Sequence, residues 1–456
     1  MLSTQMIRET VAKNFPQTID HLSTLVAIPS VSSDPEHAQD VEKAAEYLSQ
    51  ELKDLGCEAR VVTCKDPLTG LTSRPAVIAE KKAVLDPQGA PTVLLYAHHD
   101  VQPTGDISTW HTPPFEATRK GERLFGRGTA DDGAGVVAHL ATLAALGDDL
   151  PVNLRIFIEG EEEIGSPTFE AFLKEFQEEL QADVIIVADS SNWKVGIPAL
   201  TTTLRGIGTL DVTVEVLEHA VHSGMFGGPL LDAPMVMARL LSTLHDNEGA
   251  VCVPGLLGTS TSDVTYAEED FKNDAGAVEG LQLVGKGDVA SRLWTQPAIS
   301  LIGMDVTSVD ASSNSIIPKC RARLSLRVAP MQQSSEAIEA LVKHLHAHIP
   351  FGAKLHTSIE EAGPGYLADT TTRTAQAASW ALSTGFGKDC VQIGQGGSIP
   401  FVSTFAELMP GSEVLVTGVE DPNSQAHSEN ESVHLGDLEK VIVSQCLLLA
   451  RLAGKL

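Results

Sequence analysis

Four stretches of this chain gather imidazole and carboxylate side chains at short spacing: His98-His99-Asp100, Gly126-Arg-Gly-Thr-Ala-Asp131-Asp132-Gly133, Glu159-Gly-Glu-Glu-Glu163 and Asp189. Converging unpaired, so many carboxylates would repel and raise one another's pKa; a dication removes that conflict, and two remove it more completely. Imidazole mixed with carboxylate suits zinc, with manganese or cobalt as alternatives, whereas all-oxygen sets suit magnesium or calcium. A two-ion centre needs one bridging carboxylate, ions about 3.5–4 Å apart and a water polarised between them, the ingredients of metal-assisted hydrolysis.

Taken singly, each stretch has an ordinary explanation. A His-x-Asp at a strand end forms a polar pair, a glutamate triplet before a helix is a solvated N-terminus favoured by the helix dipole, and Gly-Arg-Gly-x-x-Asp-Asp-Gly makes a turn and a cap. Their placement argues otherwise. Thr92–Ala97 is a continuous apolar run, as are Val152–Ile158 and Val184–Ala188, which predicts strands buried on both faces. Helical patterns occupy Gly133–Leu146 and about Pro167–Leu180, after an N-terminal helix and another over about Asp40–Leu55 stopped by Gly56. Strand–helix alternation implies a mainly parallel sheet flanked by helices, an α/β fold. Ligands of such sheets bind beyond the carboxyl ends of the strands, where His98-His99-Asp100, Glu159–Glu163 and Asp189 all fall.

From about Thr203 the texture changes. Leu210, Val212, Val214 and Val216 alternate with Asp211, Thr213 and Glu215, and Cys320–Leu326 alternates with Arg321, Arg323, Ser325 and Arg327. Strands with one wet face belong to antiparallel sheets. Helices at about Ala233–His245, capped by Asp232, and Ser335–His348 would cover the other face. The expected organisation is a catalytic domain in two parts, 1–203 and 367–456, with an inserted α+β lid and dimerisation domain over 204–366. Residues Gly249–Gln296 carry too little periodicity to assign.

Length and composition set outer bounds. The 456 residues exceed one ordinary domain; 43% are hydrophobic and 20% charged. With 32 basic against 60 acidic residues the formal net charge is −28, which disfavours nucleic acid and anionic membranes as partners. Six cysteines form no Cys-x-x-Cys pair, arguing against a cysteine zinc site or a disulfide scaffold. With neither a signal-peptide core nor a membrane-length apolar run, the expected location is the cytoplasm.

Read in order, the motifs resemble the carnosinase and cytosolic non-specific dipeptidase branch of the co-catalytic zinc exopeptidases, a wider family that includes aminoacylase, acetylornithine and succinyl-diaminopimelate deacylases, and carboxypeptidase G. The matching stretches are Tyr96–Pro103, Trp110 with Pro114-Phe115, Leu124–Asp132, Glu159–Ser166, Asp189, His222–Gly228, Gly396–Pro400 and Ala426–Glu431. The resemblance implies two zinc ions. Asp131 would bridge them; His98 and Asp189 would complete one site, Glu163 and His427 the other. Glu162 would be the general base, and Asp100 would orient His98 through its far ring nitrogen. His222 would stabilise the oxyanion from across a homodimer formed through the inserted domain. Arg327, or another arginine of that strand by register, would grip the substrate's C-terminal carboxylate with Gly397 and Ser398; Ser315 matches a substrate-contacting hydroxyl.

The resemblance thus implies hydrolysis of dipeptides bearing a free C-terminal carboxylate. A deacylase of N-acyl amino acids would use the same centre, but chain length and the stretches Asp100–Pro103 and Gly396–Pro400 favour the dipeptidase branch. A non-catalytic binding protein on the same fold would have no need of Glu162.

Overall fold

Alternate residues of a strand point to opposite faces, so an apolar run without polar alternates must be covered twice. The strand Thr92–His98 shows this directly. Val93, Leu95 and Ala97 face one core with Leu154, Ile156, Ile158 and the helices Thr4–Val26, Gly133–Leu146 and Leu435–Leu452. Tyr96 faces the other side, among Phe157, Phe169, Phe401 and Phe405 at ring-centroid distances of 4.6–6.0 Å. Burying one such side chain is worth roughly 1.5–3 kcal/mol.

The computed structural model describes residues 2–84, 86–397 and 400–456. The chain divides into two units: Met1–Thr202 with Ala368–Ile393 and Phe401–Leu456, and Thr203–Leu367 with Gly394–Pro400. In the first, the sheet runs Glu58–Val62, Ala76–Lys81, Asn153–Glu159, Thr92–His98, Val184–Val187, Glu413–Val416, Ala199–Leu204. The middle four strands are mutually parallel, and the strands outside them pair antiparallel. The fold is therefore α/β with a parallel heart, as the alternation predicts.

The helix Gly133–Leu146 is apolar and buried almost all round, the mark of a core helix. Asp132 caps it by accepting from Gly135 N at 3.2 Å. Its first residue must be glycine, since a Cβ on Gly133 would lie 2.2 Å from the Gly128 carbonyl. The single helix expected over Pro167–Leu180 is instead two, Phe169–Glu175 and Gln177–Leu180. The break at Phe176 leaves Phe172 stacked on Phe157 while Leu180 is also buried.

In the second unit, Ala298–Asp305, Lys319–Val328, Gly206–Glu215 and Lys354–Gly363 form an antiparallel sheet in that order. Leu210, Val212, Val214, Cys320, Ala322, Leu324 and Leu326 pack under the helices Ala233–Leu241 and Ser334–His348. The other face carries charge pairs such as Arg323 Nε to Asp211 Oδ1 at 2.6 Å. Asp232 caps its helix as expected, but the helix ends at Leu241 rather than His245. There the Ser242 and Thr243 hydroxyls bond back to the Arg239 and Leu240 carbonyls and tighten the chain into a 3-10 turn. Between Gly249 and Gln296 lie two short helices, Glu268–Asp274 and Val289–Trp294, set among turns.

Candidate metal centre

Three neighbouring parallel strands deliver the site. His98 ends its strand and pairs in register with Glu159, while Tyr96 pairs with Val187, so Asp189 comes just past the next strand's end. Glu162 and Glu163 open a 3-10 turn directly after the Asn153–Glu159 strand. Asp131 arrives from the turn ahead of helix Gly133–Leu146. A Cβ at Gly128 in that turn would lie 2.5 Å from Val101 Cγ1, and its φ of +77° is glycine territory. His427 stands on a loop with φ +62°.

Two overlapping clusters result. His98, Asp131 and Asp189 form one and Asp131, Glu163 and His427 the other; within each, one potential ligand atom per residue lies within 4.8 Å of the others. His98 Nε2 is 3.0 Å from Asp131 Oδ1, and His427 Nε2 is 2.9 Å from Asp131 Oδ2 and 3.2 Å from Glu163 Oε2. Glu162 Oε2 and Asp189 Oδ2 each stand 4.0 Å from His98 Nε2. All five expected ligands and Glu162 meet at one edge of the sheet, and a mixed imidazole–carboxylate set sharing one aspartate fits a pair of zinc-like ions.

The electrostatics describe a site crowded with negative charge. Burial, with Asp189, Glu163 and Asp131 nearby, pushes Glu162 up to about 9, and burial with Asp131 and Glu163 nearby pushes Asp189 up to about 7. Although burial works against it, hydrogen bonding to Asp100 and Asp131 holds His98 well above the ordinary imidazole range. Hydrogen bonds to Asp131 and Glu163 raise His427 to about 11.

The surrounding residues brace these groups. The nearest partner of His98 Nδ1 is the Asp100 carbonyl at 3.0 Å, with the Asp100 carboxylate at 3.4 Å. That carboxylate accepts from the backbone N–H of Glu162 at 3.1 Å and of Glu163 at 3.0 Å, a second role that the sequence did not disclose. Gln102 Nε2 donates to Glu163 Oε2 at 2.8 Å, and Asp132 Oδ2 accepts from His98 N at 3.2 Å. Within Glu159–Glu163, Glu159 accepts from the Tyr96 hydroxyl at 2.6 Å and Glu161 from Arg74 N and Thr168 N, so only Glu162 and Glu163 face the centre. His99 turns away to the Pro75 carbonyl at 2.9 Å. Glu420 had no sequence signal; half-buried and close enough to feel the Asp131 and Asp189 charges, its carboxyl is held well above the usual range by desolvation and those charges.

Other expected site residues belong to the second unit. His222 is exposed, pairs across a two-strand ladder with Ser315, and accepts at Nδ1 from Gly224 N at 3.1 Å. Arg327 is half-buried on the charged face of its strand. Burial and the charge of Arg327 lower Arg205 to about 10, and Arg205 Nε donates to the Gly396 carbonyl at 2.9 Å. Gly397 is exposed, and Ser398 lies outside the described residues.

A parallel sheet whose carboxyl edge holds carboxylate–imidazole clusters around a shared aspartate is the framework of a metallopeptidase. The chain belongs to peptidase family M20/M25/M40, whose profile matches residues 94–451. It is 33% identical over 446 residues to the cysteinylglycine-S-conjugate dipeptidase of Corynebacterium striatum, spanning 96% of this chain and 95% of that one. To the human beta-Ala-His dipeptidase it is 29% identical over 380 residues, 79% of this chain and 74% of the other. Its fold matches the crystal structure of human carnosine dipeptidase 1 with a TM-score of 0.77 at 24% identity, covering 100% and 99% of the two chains. Among the described residues no helix is long and apolar enough to cross a membrane.

Proposed function

We propose that this protein is a two-zinc dipeptidase hydrolysing dipeptides that carry a free C-terminal carboxylate, with manganese or cobalt as alternative metals. The observation that carries this reading is Asp131 shared between two clusters with the Glu162 carboxylate beside them. The near full-length likeness to a dipeptidase supports the choice of substrate class. In this reading His98 and Asp189 would hold one ion, Glu163 and His427 the other, and Asp131 would serve both. Bound ions would polarise the scissile carbonyl and lower the pKa of an attacking water.

The chain's own groups do the rest. Glu162 takes the proton from the attacking water and delivers one to the leaving amine nitrogen. Burial and the neighbouring carboxylates raise its pKa, and bound cations would draw it back down toward the range where a carboxylate can both accept and release a proton. Asp100, bonded to the N–H groups of Glu162 and Glu163, holds base and ligand in fixed relation. His222 stabilises the oxyanion from a partner subunit, while Arg327, Gly397 and Ser398 take the substrate carboxylate; the neighbouring charge of Arg205 reinforces Arg327 in that grip.

The inserted domain, 204–366, serves as lid and as the homodimer contact. Exposed apolar side chains at Met225, Phe226, Leu301 and Ile302 supply surface for pairing. Six free cysteines suit a reducing cytoplasm. The deciding experiment assays a panel of dipeptides against N-acyl amino acids, with metal content measured on the same sample. Hydrolysis of dipeptides by protein carrying two metal ions is expected; activity confined to N-acyl amino acids would make it a deacylase, and none at all a binding protein.

A further inference from the structure

One buried carboxylate joins the loop that presents Asp131 to the loop that presents His427. Glu431 is fully enclosed. Its Oε1 accepts from Ala130 N at 2.8 Å and Asp131 N at 3.1 Å, and its Oε2 from Gly128 N at 2.9 Å and Arg127 Nη1 at 2.7 Å. The Glu431 carbonyl accepts from Gly126 N at 3.0 Å, and Arg127 Nη2 reaches the Ser428 carbonyl at 3.1 Å. The turn over 126–131 is thus wrapped round the side chain of a residue far along the chain.

We propose that Glu431 is a positioning residue for the metal centre: it fixes where Asp131 stands relative to His427 and so assembles the Asp131–Glu163–His427 cluster. The inference rests on the two-ion reading above. The two clusters are held by different means. His98 and Asp189 sit at the ends of strands locked by the parallel ladder. His427 has no such support. It lies in irregular chain where Gln425, His427 and Asn430 all take positive φ (54°, 62° and 63°), a conformation that persists only when the surroundings enforce it. Much of that enforcement comes from Glu431 and from Asn430, whose Oδ1 accepts from His111 N at 2.6 Å. The chemistry of the side chain matches this role, because four donors converge on it and a carboxylate is acceptor-only. A glutamine there would aim an N–H₂ at other donors.

The test is zinc uptake by equilibrium dialysis together with cobalt(II) absorption titration, on wild type and Glu431→Gln. Wild type is expected to take up two ions. The variant should keep the first at near wild-type affinity and bind the second roughly 10–100-fold more weakly, with an altered second cobalt band and kcat falling while KM moves little. A wild type that takes up one ion sinks the two-ion reading and this role together. A wild type with two ions and a variant with two of unchanged affinity, or with both weakened equally, sinks the role of Glu431 alone. If Glu431→Gln does not fold, Glu431→Asp is titrated instead, and it too should be deficient in the second ion alone. Should neither variant fold even with metal present, Glu431 is a folding residue and the proposal is overturned.

Discussion

His98 and His427 approach opposite oxygens of Asp131, 3.0 Å from Oδ1 and 2.9 Å from Oδ2. One carboxylate therefore faces two imidazoles that belong to different clusters. Asp131→Asn removes the negative charge and turns an amide N–H₂ toward one of them. Uptake of both ions should fall by more than the roughly 10–100-fold seen for residues outside the coordination sphere. Metal analysis after dialysis checks this; retention of two ions would mean that Asp131 is not shared.

Glu162 Oε2 stands 4.0 Å from His98 Nε2 yet belongs to neither cluster, so Glu162→Gln separates metal binding from proton transfer. Turnover should drop by about 10²–10⁴-fold, the usual contribution of general acid–base catalysis, with metal content unchanged. Near-normal turnover would remove Glu162 as the base.

Hydrogen bonds to carboxylates favour protons on both imidazoles, raising His98 above its ordinary value and His427 to about 11. A dication must displace them. The His427 value lies above the window from pH 8 to 6, so apparent metal affinity should weaken as pH falls, by about tenfold per pH unit for the proton displaced there. Calorimetry in two buffers of different ionisation enthalpy reads the protons released. Heats independent of the buffer would contradict the picture.

His139 offers a pH effect away from the metal. Burial lowers it to about 4, with Nε2 donating to the Tyr96 carbonyl at 3.0 Å and Nδ1 accepting from Gln445 Nε2 at 2.8 Å. An unfolded histidine titrates near 6.5, so between these values the unfolded chain binds the extra proton and stability declines as pH drops. From pH 7 to 5 this effect amounts to about 2 kcal/mol. The denaturation midpoint of ion-free wild type should fall more steeply over that range than that of His139→Gln; parallel curves would show that His139 is not held neutral.

The expected ligands His98, Glu163 and Asp189 were legible because strands with two buried faces announce themselves, and residues past their carboxyl ends are then placed at the sheet edge; His427, in irregular chain, was reached only through the family resemblance. Helix Gly133–Leu146 was legible to the residue, being apolar all round and bounded by a capping aspartate and Gly147. The braces were not. Asp100, Glu161 and Glu431 bond to backbone N–H groups far away in the chain, and a backbone partner leaves no residue type to recognise. Asp132, Gln102 and Glu431 stood inside the quoted motifs, so a signal existed without its meaning; Glu420 had none. The stretch from Gly249 to Gln296 stayed unread because its short helices Glu268–Asp274 and Val289–Trp294 are too brief for a repeating apolar stripe.

The two imidazoles differ most in their access to water: the His98 side chain is 0% exposed and that of His427 59%. Exchange with the medium should therefore be lopsided, with one ion a long-term resident and the other a lodger. When metal runs short outside, the lodger would leave first, and the protein would fall silent while still intact and ready to be refilled. Limited chelation tracked over time should withdraw one equivalent quickly and the other slowly; a single rate for both would mean that enclosure does not govern departure.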